Sequence, residues 1–282
     1  IMKKGIFWYY LEQSDIKPIV MAETKPALSP IYLGDHDKLL FEVTYFKNRI
    51  NLEIYHVLSD GTGALQFFKT IVCNYIAHVH YDIFGDNVPE FDENQSVSDK
   101  SSDGFRKYYK KPEKIKKPKQ KTAHHLKGFK NDNDILNLTE IIMSAKDVVT
   151  AAHKFNTTMT VFLTAIYIDS IHKEMTLAEE RNPVMIGVPV NLRSFFPSNT
   201  AKNFFGMISV KYDFSERNGE FSDIIEQIDK QFKEQLTKEK LSIRMNKLAA
   251  LEHNPLIKIA PLQFKNLVLK IARAITIRTE TV

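Results

Sequence analysis

At 282 residues the chain has room for two domains of roughly 150 residues each. Its 43% apolar and 26% charged composition excludes a disordered, collagen-like or disulfide-dense chain, and no apolar run approaches the ~18 residues that span a bilayer. Net charge is +5, yet eleven Lys or Arg against one acid, Glu113, place +10 between positions 106 and 130 and leave −5 for the rest. A chain that binds nucleic acid through its folded surface carries its excess on that surface, so nucleic acid is not an expected partner. A nucleic-acid reading would rest on residues 106–121 alone and would show affinity falling steeply with salt. Only six apolar residues, 6–11, follow Lys3-Lys4, too few for a signal-peptide core. The single cysteine, Cys73, cannot close an internal disulfide. Both features point to the cytoplasm.

Taken in chain order, the aromatic run Phe7-Trp8-Tyr9-Tyr10 reads as core packing rather than a base-stacking platform. Residues 39–46 and 49–56 are rich in β-branched and aromatic residues around Lys47-Asn48, which predicts a β-hairpin. Period-2 alternation places Ile50, Leu52, Ile54 and His56 on one face of its second strand. Ala64, Phe67, Phe68, Ile71, Val72, Tyr75 and Ile76 then recur at helical spacing. Residues 95–121 read as a basic flexible linker, because turn-formers, two prolines and self-repelling lysines oppose a helix. The chain thus divides into an N-terminal subdomain, 1–94, the linker, and a C-terminal subdomain, 122–282. In the latter, Ser144-Ala145-Lys146-Asp147 forms a capping box for a helix reaching about 155. A second helix follows over about 158–175, strands over 184–190 and 206–214, one long helix over 221–251 and another over 261–275. Residues 276–282 read as the start of a strand. The class is α/β, or α+β in two layers.

The stretch with most chemistry is Tyr55-His56-Val57-Leu58-Ser59-Asp60-Gly61-Thr62-Gly63. A histidine closes a strand, and an aspartate and glycine follow at the turn into a helix. An imidazole there is a suitable base for a hydroxyl or amine proton near neutral pH. Asp60 would fold back to fix the loop, and Gly61 would supply a backbone conformation that a Cβ opposes. The same residues also fit a core strand that ends in an ordinary turn and N-cap.

This stretch, with its hairpin and helix, resembles the H-x-x-x-D-G motif of the chloramphenicol acetyltransferase-like superfamily, which includes condensation domains and alcohol acetyltransferases. Gly187-Val188-Pro189-Val190-Asn191-Leu192-Arg193 and Asn203-Phe204-Phe205-Gly206 are similar to the arginine loop and N-F-F-G segment of its bacterial alcohol-acetyltransferase branch. The resemblance implies two related subdomains with a channel between them and a chain cut at both ends. It implies His56 as general base, Asp60 and Gly61 as supports, Arg193 as the ion partner of Asp60, and Asn203 and Gly206 as shapers of the subdomain interface. The implied activity moves a short acyl group from acyl-CoA, a co-substrate, to an alcohol or amine, with no metal. The alternatives are a condensation-like domain acting on carrier-bound substrates, or a non-catalytic binding member. Tyr55 stands where condensation domains place a second histidine, which favours simple acyl transfer. The D-F-G-W-G segment found in the BAHD acyltransferases of this superfamily is absent from the sequence.

Other constellations fail. Gly61 and Gly63 lack the third glycine of a dinucleotide fingerprint, no G-K-[ST] completes a phosphate loop, and no G-x-S-x-G marks a hydrolase. His78-x-His80 and His124-His125 lack the partners of a zinc site.

Overall fold

The computed structural model describes residues 1–26, 28–31, 38–87, 97–112, 121–128 and 138–276. Helix accounts for 47% and strand for 15%, and the two interleave along the chain, so the class is α+β. Two units emerge: Ile1–Tyr109 with Asn191–Phe205, and Lys110–Asn131 with Asn137–Val190 and Gly206–Val282. The partition differs from a linear pair of subdomains, because a loop that follows the sixth strand belongs to the first unit.

In the first unit, β1 (Met2–Lys4) and β2 (Tyr9–Leu11) form an antiparallel ribbon. The aromatic residues expected in the core, Phe7, Trp8, Tyr9 and Tyr10, are instead exposed on this two-stranded ribbon. β3 (Val20–Ala22) lies parallel to β4 (Phe41–Phe46), which pairs antiparallel with β5 (Arg49–Ile54). Phe46 faces Arg49 across the two-residue turn, where Lys47 takes a φ of 52°, the left-handed value that tight hairpin turns demand at this position. The helix α1 (Gly61–Val79) meets this sheet through Phe67, whose ring packs edge-on to Phe41 at 5.3 Å. α2 (Tyr81–Phe84) is a single turn after it.

The stretch expected as a flexible linker carries two short helices in its described residues, α3 (Val97–Ser101) and α4 (Gly104–Tyr108). A Cβ on Gly104 would lie 2.7 Å from the Phe204 ring, so the helix backbone rests directly on that ring. Phe105 packs edge-on to Phe204, Tyr108 stacks over it, and Tyr108 Oη donates to Pro197 O at 2.6 Å. Composition argued for solvation here, but apolar anchors at 104, 105 and 108 offset the ordering cost. Residues 113–120 of the expected linker lie outside the described ones.

In the second unit, α5 (Ala145–Lys154) and α6 (Met159–Lys173) begin at caps: Ser144 Oγ accepts from Asp147 N and Thr158 Oγ1 from Val161 N. β6 (Val184–Asn191) pairs with β7 (Phe205–Tyr212), whose Ile208, Val210 and Tyr212 are buried on alternate positions. The expected single helix over 221–251 is two, α7 (Phe221–Gln235) and α8 (Lys238–His253), because Thr237 caps a fresh start by accepting from Lys240 N. α9 (Pro255–Ile259) and α10 (Leu262–Thr276) follow. Thr276 ends a helix, and the expected strand beyond it lies outside the described residues. Ile168, Val184, Ile208, Ile224 and Ile228 form the heart of this unit at 1% exposure or less, each contributing about 1.5–3 kcal/mol by burial. Among the described residues no helix is long and apolar enough to cross a membrane.

Candidate functional site

Strand β5 ends at Ile54, and Tyr55 N makes a last sheet-like bond to Leu40 O at 2.8 Å. The chain then turns, with Leu58 N bonding back to Tyr55 O. His56 therefore sits in the turn rather than on the strand face with Ile54, and its side chain is exposed. Its ring lies 5.3 Å from the Phe205 ring, and its carbonyl accepts from Asn203 Nδ2 at 2.8 Å. Among the described residues its ring nitrogens make no hydrogen bond.

Four residues on, Asp60 is the N-cap of α1. Its Oδ1 accepts from Thr62 N and Gly63 N at 3.1 and 3.2 Å. Its Oδ2 accepts from Arg193 Nη1 and Phe204 N, each at 2.7 Å. Burial alone would raise this carboxyl's pKa, but the bonds from Arg193, Phe204 N and Gly63 N, with the guanidinium charge, hold it below the usual range. Both ends of the pair are sheltered, at 12% and 7% side-chain exposure.

The guanidinium is held as firmly as the carboxylate. Arg193 Nε and Nη2 donate to Thr200 O at 3.2 and 2.8 Å, and Nη2 also donates to Lys202 O at 2.8 Å. The loop of residues 191–205 thus curls around its own arginine, which turns two carbonyls inward that would otherwise need water. Ser59 Oγ adds a 2.6 Å bond to Ala201 O. Thr200 Oγ1 donates to Ser102 O at 2.6 Å, tying the α3–α4 segment to the same loop.

The structure brings His56, Asp60 and Arg193 into one unit. It corrects the reading of Gly61: open space surrounds the position of a Cβ there, and its backbone is not in the left-handed region. The demanding glycine is Gly63, where a Cβ would fall 2.2 Å from both Ala201 O and Ser59 Oγ. Asn203, expected at an interface, bonds within this unit to the His56 carbonyl, and its Oδ1 is buried without a partner among the described residues.

No protein-family model matches the chain, and no curated protein sequence matches it. Among solved structures it is similar to polyketide synthase associated protein 5 from Mycobacterium tuberculosis, with a TM-score of 0.47 and 14% identity, over 80% of this chain and 57% of that one. The chain thus spans little more than half that protein's length.

Among the described residues no group of three His, Cys, Asp or Glu is placed to hold a metal ion. The basic stretch is partly neutralised by its neighbours in the second unit. Lys121 Nζ lies 2.7 Å from Asp213, and Lys127 Nζ lies 2.6 Å from Glu179. Gly63, Phe204 and Ser59 were missed as supports because their partners lie more than a hundred residues away in sequence. A readable signal was the third small residue in Asp60-Gly61-Thr62-Gly63, which a cap alone does not require.

Proposed function

We propose that the chain is an acyltransferase of the alcohol-acetyltransferase type, within the chloramphenicol acetyltransferase-like superfamily. It would move a short acyl group from acyl-CoA or another thioester to a hydroxyl or amine. The observation that supports this reading is the division of labour across the H-x-x-x-D-G turn. Asp60 spends both oxygens on four donors, whereas the imidazole of His56 stands exposed at the other end. A carboxylate so occupied, and held below its usual pKa, is a poor proton acceptor; an accessible imidazole is a good one.

In the step proposed, one ring nitrogen of His56 takes the acceptor's proton as its oxygen or nitrogen attacks the thioester carbonyl. The tetrahedral adduct collapses by breaking the C–S bond, and the imidazolium returns its proton to the departing thiolate. The products are an ester or amide and free thiol, and no metal or redox partner is needed for the balance. The test is thiol release from acyl-CoAs of graded length with a panel of alcohols and amines. His56→Ala should lower turnover by roughly 10²–10⁴-fold and leave the melting temperature unchanged. Full turnover by His56→Ala in an otherwise active protein would overturn the mechanism.

A further inference from the structure

We propose that Asn203 is a positioning residue for His56, an inference that rests on the acyl-transfer reading above. The loop's other polar contacts to the motif, from Ala201, Arg193, Phe204 and Asn191, engage Ser59, Asp60 and Thr62. Those bonds fix the far end of the turn. At the near end the carbonyl of His56 accepts from Asn203 Nδ2 at 2.8 Å, and the ring of Phe205 lies against the imidazole.

The amide of Asn203 is committed to this task. Turning it over would set Oδ1 against the His56 carbonyl, two acceptors face to face, so the donor must point at His56. Oδ1 is left buried and unpartnered among the described residues. A base in an exposed turn loses efficiency when its backbone wanders, because a displacement of about 1 Å costs on the order of 10²-fold in rate. Asn203 and Phe205 thus keep the imidazole where the acceptor's proton will be.

The experiment uses the full chain, acetyl-CoA and butan-1-ol, with Asn203→Ala and Asn203→Asp, the second keeping the volume while removing the donor. Both variants should lower kcat by roughly 10–100-fold with KM for acetyl-CoA within about twofold, because the loss is in the transition state. The order parameter of the His56 backbone amide, measured by ¹⁵N relaxation without substrate, should fall from about 0.85 to below about 0.6. Parent-like kcat and parent-like order in both variants would overturn the proposal. So would a fall in melting temperature with unchanged kcat per folded molecule. If the parent releases no thiol with any acyl-CoA or acceptor, the acyl-transfer reading fails. The relaxation measurement then still decides whether Asn203 holds the His56 turn.

Discussion

The starts of α1 and α6 solve the same problem with different reach. Each helix leaves amide donors unpaired at its first turn, and each is preceded by a side chain that accepts from them. Thr158 offers one hydroxyl, and its bond to Val161 N stays within three residues. Asp60 caps with one oxygen and gives the other to Arg193 and Phe204, 133 and 144 residues away. The first is a local cap; the second is a cap that also carries the tertiary structure. What separates them is the spare oxygen, and with it a charge that must be matched.

The comparison breaks most sharply at that spare oxygen. Asp60→Asn can keep its carbonyl on Thr62 and Gly63 only by aiming its NH₂ at Arg193 and Phe204 N, donor against donor. Chemical denaturation should show a loss of about 3–5 kcal/mol, the cost of leaving a sheltered charge unpaired. Arg193→Met should cost a similar amount, and the double variant less than the sum. Acid should weaken the same pair more gently. The folded pKa of Asp60 lies below the ordinary 3.8, so its contribution is complete above that value and is lost as pH falls through the folded one. The stability difference between parent and Asp60→Asn should therefore be flat at neutral pH and shrink below 3.8; a difference that grew on acidification would break the assignment. Gly63→Ala should cost about 1–3 kcal/mol by overpacking, because the atoms its Cβ meets are a backbone carbonyl and a hydroxyl already bonded to it. Thr158→Ala should cost only about 1 kcal/mol, the ordinary value of a local cap. Smallest of all, Gly61→Ala should leave stability unchanged or raise it by up to about 1 kcal/mol, since helix propensity improves and nothing is displaced.

What was legible in the sequence follows the same division between local and distant. The hairpin, α1, the cap at Ser144, and the helix and strand that begin near 158 and 206 depend on residues within a few positions, and each stands close to where the pattern put it. The division between α7 and α8 was missed although a signal existed. The buried stripe Ile224, Ile228, Phe232 requires an apolar residue near 239 or 240, where Glu239 and Lys240 stand instead. The short helices at 97–101 and 104–108 were hidden because composition reports average solvation, whereas the contact of one ring, Phe204, with Gly104 is a local packing event. Asp60 and Arg193 were linked only through family resemblance, since neither spacing nor periodicity reaches across the intervening chain. Gly63 and the bond from Asn203 to His56 depend on a loop whose path no local rule describes.

The distance spanned by the Arg193 loop also sets a timetable. The hairpin and α1 involve near neighbours and can form as soon as they leave the ribosome. The second oxygen of Asp60 must wait for Arg193, 133 residues later, a delay of about 7–30 s at about 5–20 residues per second. His56 waits slightly longer for Asn203, 147 residues away. During that interval the nascent helix carries an unmatched carboxylate and the His56 turn has no restraint from the loop. The proposed base is therefore among the last features of its unit to be set, and a pause in translation between α1 and Asn203 would prolong the period in which the unit is folded in outline but has no finished site.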